Sequence, residues 1–220
     1  MARKRTLRLQ VERRKSLITP KQRERERARV FRPLAIEIGW LVYEWNRMQA
    51  ALGELFADVL SKDSIKVPLA VWHSVTQERT QREMLRAAVA AANQLGSLKP
   101  RACEDIIWIL KELNALAGRR NDAIHAPLVF INEVGETGVD SIQILPMYFF
   151  GNPRAAQLRD KHLLKEFQWY RDHLSKFADF AGILHYAIIF PEHAWPDRPQ
   201  LLPRDQFRSP RAKHRKIKSK

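Results

Sequence analysis

The sequence holds a single cysteine, Cys103. That excludes an intramolecular disulfide and any cysteine-rich metal cluster, and it points to a reducing compartment. No stretch approaches the roughly 18 apolar residues of a membrane span. The first fifteen residues are arginine-rich and lack the apolar run of about 7–15 residues that a secretory signal needs. A cytoplasmic protein with no membrane association is expected. Glycine is scarce, at 8 of 220 residues, and there is no glycine-rich phosphate loop, no G-x-S-x-G elbow and no zinc-finger spacing. His73 and His185 have no histidine or carboxylate at i+3 or i+4, so neither a metal nor another cofactor is expected.

Positive charge is abundant but unevenly placed. Residues 1–32 carry 13 Lys/Arg against 3 Glu, and residues 195–220 carry 9 against 2 Asp, whereas residues 33–194 carry 17 basic and 19 acidic residues. The whole excess of +15 therefore lies in the two ends. Like charges at this density, with few apolar residues among them, do not bury enough surface to offset chain entropy. Both ends are expected to be largely disordered basic tails that attract polyanions by counterion release. The Glu/Arg alternation of residues 22–29 is compatible with a short helix extending the next one. The remainder is of a size for one domain, residues 33–194.

From Pro33 apolar residues recur at helical spacing: Ile38, Leu41, Val42, Trp45, Met48, Leu52, Leu55, Phe56 and Val59. This predicts a long first helix with Pro33 in its first turn. A second helix is expected to start between Leu69 and Thr76 and to end before Gly96. A third follows Pro100 and stops near His125 or Ala126, ahead of Pro127. Two β-branched runs, residues 128–134 and 139–145, read as a small hairpin. A fourth helix carries Leu163, Phe167, Tyr170, Leu174, Phe177, Leu184 and Ile188 and is stopped by Pro191. The expected fold is mainly all-α, an up-down four-helix bundle with a hairpin insertion near residues 128–145.

The third helix ends in Arg119-Arg120-Asn121-Asp122-Ala123-Ile124-His125. At about 100° per residue, Arg120 falls about 80° to one side of Leu110, with Asn121 and His125 about 20° and 60° to the other. These three polar residues straddle the apolar seam, while Arg119 points to solvent. Burying them needs partners or a ligand. Histidine suits proton transfer and arginine suits phosphoryl charge stabilisation, the two requirements of metal-independent RNA cleavage by the ribose 2′-hydroxyl. Asn121, four residues before His125, is placed to orient the imidazole or a phosphate. Arg, Asn, Asp and His in a last helical turn also serve carbonyl capping and the helix dipole, which is the structural alternative.

The R-N-x-x-x-H pattern from Arg120 to His125, in a chain read as a helical bundle from about Pro33 to Pro191, resembles the signature of the HEPN superfamily. The resemblance implies a metal-independent endoribonuclease that leaves a cyclic phosphate. It also implies a composite cleft at a homodimer interface, with Arg120, Asn121 and His125 catalytic. RNA and a second copy are the expected partners, and an antitoxin-type protein is a further one. The alternative is a non-catalytic module of the same fold that binds nucleic acid or a partner.

Weaker candidates are Glu44, Asn46 and Gln49 on the first helix, more simply read as a core amide and surface groups. Arg79, Arg82 and Arg86 form an i, i+3, i+7 row that can track phosphates together with Arg119, or simply a solvated face. The segment Tyr148-Phe149-Phe150-Gly151-Asn152-Pro153 offers rings for base stacking, or for the core.

Overall fold

The computed structural model describes residues 19–61, 64–134, 140–148 and 151–202. The elements are α1 (Pro20–Leu60), α2 (Lys66–Ser74), α3 (Glu78–Gln94), α4 (Pro100–His125), β1 (Leu128–Val134), β2 (Asp140–Pro146), α5 (Pro153–Gln157) and α6 (Leu163–Ile189). The chain is mainly helical, with one small antiparallel sheet that pairs Leu128 with Pro146 and Val134 with Asp140.

α1 begins thirteen residues before the expected start at Pro33, so residues 20–32 are helix rather than largely disordered tail, in line with the helical extension that the Glu/Arg alternation of residues 22–29 allowed. The cause is a capping box. Gln22 donates its backbone N–H to the Thr19 hydroxyl at 3.2 Å, and Thr19 returns its own N–H to the Gln22 side chain at 2.8 Å. Pro20 occupies the first turn, where a missing N–H costs nothing. Pro33 lies inside the helix. Residues 1–18 of the expected N-terminal tail lie outside the described residues.

The periodic apolar residues of α1, α4 and α6 form the core as expected. Leu41, Trp45, Met48, Leu52, Ile106, Leu110, Leu113, Phe167, Phe177 and Leu184 have no accessible surface. The expected second helix is two, because the backbone is extended at Val75 and at Gln77. Gly96, with φ of 64°, follows the end of α3 and supplies the left-handed turn that few other residues adopt. α4 ends at His125, before Pro127.

The order of cross-helix contacts gives the helix directions. Arg171 bonds Glu37, Arg47 bonds Ser175 and Asp179, and His185 meets Asp58, so α1 and α6 run parallel. Arg120 meets Glu78 and Arg82 meets Asn114, so α3 and α4 are antiparallel. α4 and α6 are antiparallel as well, since Trp108 packs on Phe177 and Phe180 while Arg119 lies over Trp169. α1, α3 and α6 thus point one way and α4 the other, which differs from the strict alternation expected. The reason is α2, which carries the chain back along α1 with Trp72 against Phe56. A Cβ on Gly53 would meet the Trp72 ring at 3.0 Å, so the glycine permits this close crossing.

Residues 195–202 also depart from the expected tail, and with residues 191–194 they form a strap. Asp105 accepts from Trp195 Nε1 at 2.8 Å and from Arg198 Nε at 2.6 Å, and Trp169 Nε1 donates to the Leu202 carbonyl at 3.0 Å. This strap lies against α4 and α6 because its indole and guanidinium share a buried carboxylate. Residues 203–220 lie outside the described residues.

Candidate functional site

The three motif residues occupy the last two turns of α4, and their environments differ. Arg120 is mostly covered, with 18% of its side chain exposed. Its Nη2 donates to Glu78 Oε1 at 3.1 Å and its Nη1 to Asn121 Oδ1 at 2.8 Å. Its guanidinium carbon lies 4.9 Å from the centre of the Trp45 indole ring, within cation–π range. Trp45, itself without accessible surface, donates its indole N–H to the same Glu78 oxygen at 2.9 Å. One carboxylate on α3 therefore ties α1 to α4.

A second arginine joins this cluster. Arg82 is 5% exposed, donates Nε to Asn114 Oδ1 at 2.8 Å, and lies 5.8 Å from the Trp45 ring centre. Burial pushes its guanidinium pKa down, Glu78 and Glu83 oppose that shift, and Arg120 and Arg79 reinforce it. Arg82 Nη1 and Arg120 Nε have no hydrogen-bond partner among the described residues. Arg79 and Arg86 are exposed. The expected row of Arg79, Arg82 and Arg86 is thus split, because Arg82 sits nearest the α1 and α4 side of its helix and is drawn inward by Trp45 and Asn114.

His125 is exposed, one turn beyond Asn121. Asn121 gives its amide oxygen to Arg120, and no hydrogen bond joins it to His125. Arg119, expected to point to solvent, lies 5.7 Å from the Trp169 ring centre, because α6 packs on that side of α4. Gln49 has both amide atoms buried without a partner among the described residues. Glu44 pairs with Arg47, and Asn46 is exposed. Tyr148 is partly buried against the core and lies under Arg159, its ring centre 5.0 Å away; Phe149 and Phe150 lie outside the described residues. His73 is exposed in the last turn of α2.

Three features were missed from the sequence. Glu78 is the partner of Arg120 across 42 positions, and Asp58 is the partner of His185 across 127. Neither separation leaves a local signal. The third had one: the Thr19-x-x-Gln22 box marks the start of a basic helix. Lys21, Arg25, Arg27, Arg29 and Arg32 on it are exposed, and it touches the hairpin where Phe31 meets Phe130.

Among the described residues no three His, Cys, Asp or Glu side chains are grouped to hold a metal. No described helix is long and apolar enough to cross a membrane. A cavity of about 460 Å³ opens elsewhere, beside Asp58, Ser61, Lys99 and Ile188, and neither Arg120 nor His125 lines it. No family model matches the chain, and no curated protein or solved structure matches it.

Proposed function

We propose that this chain is a non-catalytic, cytoplasmic HEPN-type bundle that binds RNA through the basic first turns of α1 and the charged ends. The observation that carries this reading is the commitment of Arg120. Its terminal nitrogens are held by Glu78 and Asn121, and its face lies on Trp45. An arginine placed to stabilise a developing phosphoryl charge needs those donors free. The histidine beside it has no orienting partner on Asn121. The exposed arginines of residues 21–32 lie on one capped helix, which suits contact with a phosphate backbone of any sequence.

The test is the salt dependence of RNA binding. Replacing Lys21, Arg25 and Arg32 with alanine is expected to weaken binding and to flatten the plot of log K against log salt by about 2–3. An unchanged slope contradicts the assignment to α1.

A second reading is favoured by the exposure of His125. In it, two copies join Arg120, Asn121 and His125 into a composite metal-independent endoribonuclease site, with Arg79, Arg86 and Arg119 along the RNA path. That reading also accommodates an antitoxin-type protein as its regulator.

A further inference from the structure

Because α1, α3 and α6 run one way and α4 the other, one end of the bundle gathers the last turns of α1 and α6, the turn after α3 and the first turn of α4. The cavity of about 460 Å³ opens there. Its size is that of a small-molecule site, roughly 300–1,000 Å³. Leu60, Ile65, Leu98, Ile188 and Ile189 make its walls apolar, and one buried charge interrupts them. That charge is Asp58, whose side chain is 3% exposed. Its Oδ2 accepts the Nδ1–H of His185, and no described residue bonds to its Oδ1.

The helix ends decide which charge fits beside Asp58. The last carbonyls of a helix have no partner within it and carry partial negative charge. No described backbone N–H reaches the carbonyls of Asp58, Val59 and Leu60 or those of Ile188 and Ile189. Neither α1 nor α6 has a basic residue in its last turn. The start of α4 offers little to an anion: Pro100 has no N–H, and the N–H groups of Ala102 and Cys103 both go to the Lys99 carbonyl, at 2.9 and 3.2 Å. Lys99 lines the cavity but is exposed, so water solvates its ammonium, whereas the Asp58 carboxylate acts where water is scarce.

We infer that this cavity binds a small organic ammonium ion with an apolar body. The ammonium donates to Asp58 Oδ1 and to the carbonyl ends of α1 and α6, and the body lies against Ile65, Ile188 and Ile189. His185 and the ligand then share one carboxylate. A second cation on Asp58 disfavours the proton on His185, whose other charged neighbour is Glu54 of α1. The site is independent of RNA binding, since it lies at the opposite end of α4 from Arg120 and His125 and at the opposite end of α1 from residues 21–32.

The experiment is NMR titration of the full chain with octylammonium, octanoate and octanol. Octylammonium is expected to shift the methyl signals of Ile65, Ile188 and Ile189 and to lower the titration midpoint of His185. Asp58→Asn, close in shape, is expected to weaken octylammonium binding about 10–100-fold. Ile65→Arg alters a residue 47% exposed and sets a cation on the wall, so about 10-fold weaker binding is expected with the circular dichroism intact, even if the Asp58 variant does not fold. Lys99→Gln is expected not to weaken it. Octylammonium that leaves the three methyl signals or the His185 midpoint unmoved overturns the inference, as does affinity unchanged in a folded Asp58→Asn or in Ile65→Arg. Octanol bound as tightly overturns the role of charge. Octanoate bound as tightly, and weakened by Lys99→Gln, overturns its sign.

Discussion

The guanidinium of Arg120 lies 4.9 Å from the centre of the Trp45 indole, and both side chains bond one oxygen of Glu78. Among the described residues this carboxylate is the only acidic group bonding the pair, and Arg82 lies against the same ring. Removing its charge leaves two guanidinium groups beside a buried indole. Glu78→Gln is expected to lower stability by about 1–2 kcal/mol, read by urea unfolding. Combining it with Arg120→Ala is expected to cost less than the sum of the two single changes. Additive losses contradict the coupling.

Two histidines, one buried (His173) and one half-buried (His185), respond to pH in opposite senses. Asp58 accepts a hydrogen bond from His185 and holds its pKa above the ordinary imidazole value. Its contribution is complete below that ordinary value, near 6.5, and is lost as pH rises through the higher folded value. Burial pushes His173 below 6.5, with backbone hydrogen bonding at Trp169 and Leu202 opposing the shift. Its contribution is therefore present above pH 6.5 and is lost as pH falls through the lower folded value. NMR titration of the imidazoles is expected to give midpoints on opposite sides of the free value. A shared midpoint contradicts both assignments.

Asp105 fixes the strap of residues 191–202 by accepting from Trp195 and Arg198. Asp105→Ala leaves the indole N–H and the guanidinium without that acceptor, and a loss of about 1–3 kcal/mol is expected. A glutamate-specific protease is then expected to cut the strap after Glu192 faster than in the wild type. Unchanged cleavage kinetics contradict the anchoring role.

Periodicity made the helices legible. Leu41, Trp45 and Met48 on α1, and Phe167, Leu174 and Phe177 on α6, repeat at the spacing that marks a buried face, and all are buried. Pro127 and Pro191 marked the ends of α4 and α6 for the same local reason. What escaped was set by distance along the chain. Helix direction depends on where α2 turns back, and nothing in residues 66–74 encodes that path. A wheel built on α4 alone placed Arg119 in solvent, since it contained no α6. Burial of Arg82 required Trp45 and Asn114 to converge from two other helices. Composition also made residues 195–202, and residues 20–32 apart from the short helix allowed over 22–29, read as tail. The capping box at Thr19 and the buried Asp105 are specific contacts that an average over charge does not register.

The role assigned to Arg120 is tested most directly by incubating RNA with the full chain in excess chelator, beside Arg120→Ala and His125→Ala. Retention of the RNA in complex, with no cyclic-phosphate ends from any of the three proteins, is the expected result. Cleavage by the wild type that both substitutions abolish contradicts the non-catalytic reading and establishes Arg120 and His125 as the reacting groups.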